Sequence, residues 1–250
     1  MEAFWAGLVQ KMEIFWANFV QKFEMAFLTG DRWKLYLKGM GTTLELTACA
    51  LVIGVVLGVL VAVIRSAHDQ QRPGQRNFAL GMLNVLCKIY TTVIRGTPML
   101  VQLLIWGFVI FKSSRNRFFV GMLGLGINSG AYVAEIVRGG LMSVDAGQSE
   151  AGRSLGLNYV DTMRFIIVPQ AFKNILPALG NEFIVLFKDT SLVSSIGAAE
   201  VLYYAEAVGA KTYEYMFPYI GVALMYLIFC IILTWLQGKL ERRLRQSDRR

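Results

Sequence analysis

The chain has 250 residues, of which 55% are hydrophobic and 17% charged, and its formal net charge is +8. Soluble domains carry about a quarter charged residues, so this composition excludes an ordinary soluble domain and predicts an all-α polytopic membrane protein. A spanning helix needs about 20 apolar residues. The length therefore allows roughly five or six spans and no separate nucleotide-binding domain.

The N-terminal segment, residues 1–38, contains an 11-residue repeat. Residues 4–14 read FWAGLVQKMEI and residues 15–25 read FWANFVQKFEM. An 11-residue period corresponds to about 3.67 residues per turn, which returns the same helix face in each copy. One stripe then holds Trp5, Leu8, Met12, Phe15, Phe19, Phe23 and Phe27. Because Lys and Glu interrupt each copy, we predict an amphipathic helix at the lipid–water interface, with a short coiled-coil seam as the alternative.

The transmembrane domain is predicted over residues 39–238, with five core spans. The predicted spans are Leu44–Ile64, Pro98–Phe111 with some flanking residues, Phe118–Val137, a stretch within Ala171–Val193, and Phe217–Trp235. Gly54 and Gly58 in the first span would allow close approach of a neighbouring helix. The mixed segment Phe78–Ile94 is predicted as an amphipathic surface helix, preceded by a turn at Pro73-Gly74.

Basic residues predict the orientation. The tail of residues 239–250 contributes Lys239, Arg242, Arg243, Arg245, Arg249 and Arg250. Since loops rich in Lys and Arg stay in the cytoplasm, we expect the C-terminus inside and, after five spans, the N-terminus outside. The outer loop at residues 112–117, with three basic residues, opposes this assignment. The tail also accounts for much of the positive charge without nucleic acid, by contact with anionic lipid.

Polar residues within the spans are candidates for a translocation pathway, because charges in a membrane are costly. The fourth span contains Asn181, Glu182, Lys188 and Asp189. Glu182 could equally serve a structural hydrogen bond, and the pair at 188–189 could line an entrance or lock an outer gate. Glu135 and Arg138 are three residues apart on one helix face, which predicts a structural ion pair.

The sequence offers no catalytic or metal-binding set. A phosphate-binding P-loop needs Gly-x-x-x-x-Gly-Lys-Ser/Thr, and the only Gly-Lys pair, Gly238-Lys239, is followed by Leu. The only histidine, His68, is expected to be solvated in a polar loop, and the three cysteines lack metal-ligand spacing. We therefore predict that the chain is not an enzyme and holds no cofactor itself.

A polar stretch carries the most specific motif. From Glu150 it reads Glu-Ala-Gly, three residues, Gly156, nine residues, Ile, one residue and Val-Pro. This resembles the EAA loop of the membrane-spanning subunits of ABC importers. Further blocks resemble the polar-amino-acid branch of these permeases: Arg95–Leu103, Gly130–Gly140, Gly147–Ala151 and Lys188–Leu192. Gly152 departs from the family, which usually has a second Ala there.

The resemblance implies a type I (MetI-like) permease of the binding-protein-dependent transport system inner membrane component family. In that family the loop forms a short cytoplasmic helix that docks onto a separate ATPase. The residues carried over for coupling are Glu150, Ala151, Gly152, Leu155 and Gly156. Glu150 is expected near the helix N-terminus, Leu155 as an apolar knob and Gly156 at the turn. Gly152 lowers helix propensity by up to about 1 kcal/mol.

The implied partners are two ABC ATPase subunits that bind ATP-Mg, an extracytoplasmic amino-acid-binding protein, a second permease copy or paralogue, and membrane lipid. The implied function is ATP-driven uptake of polar amino acids across a bacterial inner or plasma membrane. The alternative is an ion-coupled carrier or channel without an ATPase. Such carriers usually show internal repeats among their spans, and the core shows none.

Overall fold

The computed structural model describes residues 1–71 and 77–246 and confirms the all-α class. Its α-helices are α1 (Glu2–Phe23), α2 (Trp33–Asp69), α3 (Phe78–Gly96), α4 (Met99–Ile105), α5 (Arg117–Met142), α6 (Ala146–Ser154), α7 (Tyr159–Thr162), α8 (Val168–Asp189), α9 (Val201–Thr212) and α10 (Met216–Gln246). The predicted turn at Pro73-Gly74 and the tail residues Arg249 and Arg250 lie outside the described residues.

Local sequence signals explain where helices begin and continue. Five helices begin at a side chain that accepts hydrogen bonds from the first turn: Asn77, Asn116, Asp145, Asn158 and Glu200. Wider π turns at Glu24–Leu28, Trp106–Ile110 and Met163–Ile167 extend neighbouring helices. The last of these joins α7 to α8, so one helical run extends to Asp189 and ends in the 3-10 turns Thr190–Ile196.

Helix α5 forms the centre of the bundle. In its most apolar stretch 67% of the residues are buried, against 28% or less in α2, α3 and α10. Glycines bring α2 directly against it: a Cβ on Gly54 would lie 2.8 Å from the Ser129 hydroxyl, and one on Gly58 would lie 2.6 Å from Val133. The predicted use of Gly54 and Gly58 for close helix packing is therefore confirmed.

Four described helices are long and apolar enough to cross a membrane: α2, α3, α5 and α10. Helix α8, the predicted fourth span, is not among them, because its polar residues lower its hydropathy. It packs against three of those helices, α2, α5 and α10, instead. A Cβ on Gly140 of α5 would clash with Ile175, and one on Gly180 would meet Gln237 of α10 at 3.3 Å. Burial within the bundle compensates for the polar sequence of α8.

The prediction that Phe78–Ile94 is a surface helix is wrong. The corresponding helix, α3, is itself long enough to cross and packs on the bundle, where the Tyr90 hydroxyl donates to the Ile127 carbonyl of α5 at 2.6 Å. Helix α4 and the π turn after it continue along the other half of α5, with Leu103 and Trp106 against Gly124. The second span is therefore α3 plus α4, broken at Pro98, which has no N–H to donate.

The first span is longer than predicted, because α2 includes polar residues at both ends. His68 lies in its last turn and not in a loop. Its Nδ1 lies 3.1 Å from the side-chain amide of Asn84 on α3. The histidine expected to be solvated therefore joins the first two spans.

The bundle has two ends, which we name by their short helices. The loop end carries α6, and the far end carries α9. The C-terminal half of α10 lies at the loop end, since the side-chain amide of Gln237 donates to the Pro177 carbonyl of α8 at 3.2 Å. The basic tail and the EAA-like loop are therefore on the same side of the molecule.

Candidate functional site

Helix α6 contains the EAA-like residues and begins at Asp145. The Asp145 carboxylate accepts a hydrogen bond from the Gly147 amide at 2.7 Å. Glu150 lies in the middle of the helix and is exposed. The expectation that Glu150 would lie near the helix N-terminus is wrong. Asp145, five residues earlier, caps the first turn instead.

The C-terminal end of α6 is a sharp turn at Gly156. The Gly156 amide donates to the Arg153 carbonyl at 2.9 Å, and the Leu157 amide donates to the Gly152 carbonyl at 3.1 Å. These two bonds and the φ of +80° at Gly156 define a Schellman ending, as the glycine predicted. Leu155 stands just before the turn with 79% of its surface exposed. The turn therefore holds an exposed apolar side chain in a defined position.

Gly152 lies close to the start of the helical run that continues into α8. A Cβ at this position would lie 2.8 Å from Cγ2 and 2.9 Å from Oγ1 of Thr162, and 3.2 Å from Ile166. The departure from the family's usual Ala therefore has a packing reason. The glycine allows α6 to lie directly against the start of the helical run that continues into α8.

A groove of about 800 Å³ lies between α6, the end of α2 and the start of the helical run that continues into α8. Its walls include Gln70, Gln71, Ser149 and Arg153. Helix α6 is attached to the run of α7 and α8 by the close packing of Gly152 on Thr162 and by the Gln170 amide, which donates to Gln148 at 3.2 Å.

A second candidate site is a cavity of about 160 Å³ between α4, α5 and α8. Its wall is formed by Thr97, Met99, Asn128, Tyr132, Glu182, Val185, Leu186 and Asp189. Glu182 is 8% exposed, and its Oε1 accepts a hydrogen bond from the Ser129 hydroxyl at 2.8 Å. Glu182 and Asp189 are seven residues apart, so they share one helix face.

The cavity includes only half of the predicted pathway residues. Asn181 and Lys188 also lie seven residues apart, but both are exposed on the neighbouring face of α8 and neither lines the cavity. The structure thus brings Glu182 and Asp189 together and leaves the other two residues on the outer surface of this subunit.

The break between α3 and α4 borders the cavity and is closed by one buried side chain. The amide of Gln102 donates to the Ile94 carbonyl at 2.8 Å and to the Thr97 carbonyl at 3.1 Å. Its oxygen accepts from Asn128 at 3.1 Å. Gln102 therefore satisfies carbonyls that the break leaves without helical partners.

The predicted ion pair of Glu135 and Arg138 is confirmed, with Nε and Oε2 at 3.4 Å. The same carboxylate also contacts Arg65 of α2, and Arg95 of α3 lies 3.9 Å from it. Arg95 additionally covers the ring of Tyr132, whose centroid is 5.3 Å away. Three spans thus share one acidic residue beside the cavity.

Sequence reasoning missed Thr97, Asn128 and Tyr132 as cavity residues. All three belong to, or lie just before, blocks that carried the family resemblance, yet they are uncharged and do not stand out by hydropathy. The helix break at Pro98 could have indicated them, because non-helical backbone within a membrane occurs only where it is buried in protein or lines a cavity.

Comparison with known proteins identifies the family. The family described as binding-protein-dependent transport system inner membrane component matches residues 54–246. The arginine transport system permease ArtQ of Bacillus subtilis is 35% identical over 215 residues, which cover 85% of this chain and 93% of ArtQ. A putative glutamine transport system permease GlnP of Rickettsia prowazekii is 33% identical, covering 83% and 92%.

Solved structures agree. A chain in the crystal structure of an amino acid ABC transporter with histidines has a TM-score of 0.76 and 41% identity, covering 87% of this chain and 98% of that one. An inward-facing structure of the MetNI methionine ABC transporter has a TM-score of 0.70 at 19% identity, over 86% and 98%, and supports the MetI-like fold alone. The chain therefore belongs to the binding-protein-dependent transport system inner membrane component family, as a multi-pass membrane permease.

Proposed function

We propose that the chain is the permease subunit of an ATP-driven importer of polar amino acids, with ATP-Mg held by separate ATPase subunits. Helix α6 is the observation that carries this proposal. It is short, capped at both ends and exposed along Glu150 and Leu155. The relatives named for arginine, glutamine and cystine transport support amino acids as the substrate class. The comparisons give no support to a carrier or channel without an ATPase.

The coupling path follows from the contact between α6 and the fourth span. Gly152 lies against Thr162, and the helical run from Tyr159 extends through α8 to Asp189. A helix transmits displacement along its axis because its backbone hydrogen bonds are internal. Movement of α6 by an ATPase would therefore shift Glu182 and Asp189 in the cavity wall. The coupling residues are Glu150, Ala151, Gly152, Leu155 and Gly156.

The cavity is suited to a cationic group such as the ammonium of an amino acid. Two carboxylates line it, and among the described residues no basic side chain does. At about 160 Å³ it is smaller than the roughly 300–1,000 Å³ of typical ligand sites. A second permease, either a copy of this chain or a paralogue, would complete the enclosure along the exposed face with Asn181 and Lys188.

We infer that α6 and the C-terminus lie in the cytoplasm and that the N-terminus lies outside. The loop end carries Arg153 and Arg164 as well as the tail with Lys239, Arg242 and Arg243. Such a basic excess is retained in the cytoplasm. The far end, with α9, would then receive the extracytoplasmic binding protein.

The test is purification of the tagged full chain from membranes in mild detergent, with the Leu155→Asp variant in parallel. We expect an ABC ATPase to co-purify with the wild type. The amount of co-purified ATPase should fall at least about tenfold with the variant, since a charge at position 155 costs more than about 1.4 kcal/mol at an apolar contact. Gly81→Ala on α3 serves as the matched control, because a Cβ there meets no atom within 4 Å.

Reconstitution decides between this function and the alternative. Uptake of a polar amino acid into proteoliposomes should require ATP, the ATPase and the binding protein. Uptake driven by an ion gradient with the chain alone, and no ATPase in the purified complex, would establish the carrier instead.

A further inference from the structure

Helix α1 presents a broad face of exposed aromatic and aliphatic side chains. Phe4 is 70% exposed, Met12 65%, Phe15 67% and Trp16 62%. At 100° per residue, ten of the twelve large apolar side chains of the two repeat copies fall within an arc of about 160°, and only Ile14 and Met25 lie outside it. Gln10, Asn18 and Gln21 lie on the opposite side. A coiled-coil seam is a narrower stripe, so the width of this face favours a lipid surface over a partner helix.

The C-terminal end of α1 is fixed to the far end of the bundle. Lys22 pairs with Glu214 at 2.7 Å, and the Phe217 ring lies 4.9 Å from that of Phe19 and 6.3 Å from that of Phe23. Glu214 lies two residues before α10, a helix long and apolar enough to span the membrane, and Phe217 is in the first turn of that helix. The attachment therefore places α1 at the level where a span enters the membrane.

The first copy of the repeat lacks the attachment that the second copy makes. Leu8, Lys11 and Met12 occupy the positions of Phe19, Lys22 and Phe23. In the described chain, no ion pair, ring contact or side-chain hydrogen bond joins residues 4–14 to the bundle. The apolar surface of this copy is consequently uncovered in the single subunit.

The neighbouring surface identifies what covers it. Ile220 and Leu224, one and two turns beyond Phe217 on α10, are 50% and 52% exposed on a helix that crosses the membrane. The aromatic face of α1 continues this lipid-facing surface. Over Glu2–Phe23 the two Glu and two Lys give no net charge, so attraction to anionic lipid is not needed.

We propose that α1 lies in the lipid–water interface of the leaflet at the far end of the bundle, with its Phe and Trp face among the lipid chains. Apolar area, and not headgroup charge, holds it there. The inference rests on the membrane-spanning fold and is independent of the identity of the transported solute.

Spin-label accessibility in the full chain tests the proposal. Cys49, Cys87 and Cys230 are first replaced by Ala, and a label is placed at Met12→Cys on the apolar face or Gln10→Cys on the polar face. In liposomes, we expect the label at 12 to be accessible to oxygen and protected from a water-soluble nickel chelate. The label at 10 should show the reverse, equally in neutral phosphatidylcholine and in vesicles containing phosphatidylglycerol.

Each other pattern overturns the proposal. Nickel access at both positions would place α1 in water, and oxygen access without nickel access at both would place it across the bilayer. Protection of position 12 from both reagents, with short distances between labels on two subunits, would show a protein-covered seam. Gel filtration of each labelled chain before reconstitution confirms that the substitutions leave it folded.

Discussion

Glu200 is a fully buried carboxylate in the connection between the fourth and fifth spans. It begins α9, where Oε1 accepts the Tyr203 amide at 2.8 Å. Oε2 accepts the Tyr226 hydroxyl of α10 at 3.0 Å and the Thr43 hydroxyl of α2 at 3.4 Å. One side chain thus joins three helices at the far end without a basic partner among the described residues.

Burial raises the pKa of Glu200 from 4.5 to about 7, and the hydrogen bonds from the backbone, Tyr226 and Thr43 only partly oppose this. Because the folded-state pKa is above the unfolded value, the folded state binds the extra proton between these values. The free energy of unfolding should therefore fall as pH rises from about 5 to about 7, by on the order of 2–3 kcal/mol, and then level off.

The Glu200→Gln variant should lose this component of the pH dependence, since an amide does not ionise. Thermal unfolding in detergent between pH 5 and 8 measures it, with Glu206→Gln on the same helix as the control. An unchanged pH slope in Glu200→Gln would assign the titration to another group.

At Glu182, removal of the charge should impair transport and leave assembly intact. Glu182→Gln keeps an oxygen that can accept from Ser129, so the α5–α8 contact survives while the cavity loses a carboxylate. We expect uptake in proteoliposomes to fall at least about tenfold, because a charged hydrogen bond contributes about 1.5–3 kcal/mol. Asn181→Ala, on the exposed face, is the control. Full uptake by Glu182→Gln would assign Glu182 a structural role only.

The charged residues of the cavity could be predicted from the sequence, whereas the uncharged ones could not. Glu182 and Asp189 stood out because ionisable groups within a span are costly. Thr97 and Asn128 gave no such signal, since a polar uncharged residue in a span is common wherever helices hydrogen-bond. Glu200 also escaped prediction, because its burial depends on three helices that are distant in sequence.

At the level of the element, the ending of α6 should be sensitive to Gly156. Its φ of +80° costs a β-branched residue about 1–2 kcal/mol, and the Gly156→Val change would also reorient Leu155. We expect the spans to fold normally while ATPase binding and solute-stimulated ATP hydrolysis fall steeply. Binding of the ATPase measured with Gly81→Ala in parallel provides the reference. Wild-type stimulation in Gly156→Val would refute the coupling role of this turn.

The Gly152–Thr162 contact predicts a compensating pair. Gly152→Ala alone should weaken attachment of α6, because its Cβ would lie 2.8 Å from Thr162. Thr162→Ala removes both nearest atoms, so the double variant should recover coupling and benefit from the better helix propensity of Ala. A double-mutant cycle of solute-stimulated ATPase activity measures the interaction. Additive effects of the two substitutions would exclude the contact as a determinant of coupling.

Helix boundaries show where hydropathy succeeds and fails as a predictor. Helix α8 was located despite its polar residues, since the loop motif before it and the apolar flanks limit its position. Helix α3 was misassigned because Asn84 and Lys88 give it a mixed surface, although Asn84 is buried against α2. From sequence alone, a span that is broken at a proline resembles two unrelated helices, and only the packing in the structure shows that they form one span.

Across the bundle, the identity and order of the helices were easier to predict from the sequence than the cavity between them. Five spans, a basic tail and a loop motif fix the class and the order of elements. The cavity depends on which faces of α4, α5 and α8 meet, and that arrangement follows from close approaches such as Gly140 against Ile175. Sequence periodicity shows that a helix has a buried face but not which partner covers it.

Single cysteines at the two ends of the bundle test the orientation across the membrane. Ser154 at the end of α6 and Lys211 at the end of α9 are both exposed and lie at opposite ends of the bundle. In a chain without its three native cysteines, Ser154→Cys should react with an impermeant maleimide only in inside-out vesicles, and Lys211→Cys only in intact cells. The basic tail lies at the end with α6, so it should be retained in the cytoplasm. The loop of residues 112–117 opposes this with three basic residues at the other end, but the loop end carries more basic residues in total. Labelling of both cysteines from the same side would exclude a five-span chain, and a reversed pattern would place α6 where no cytoplasmic ATPase could reach it.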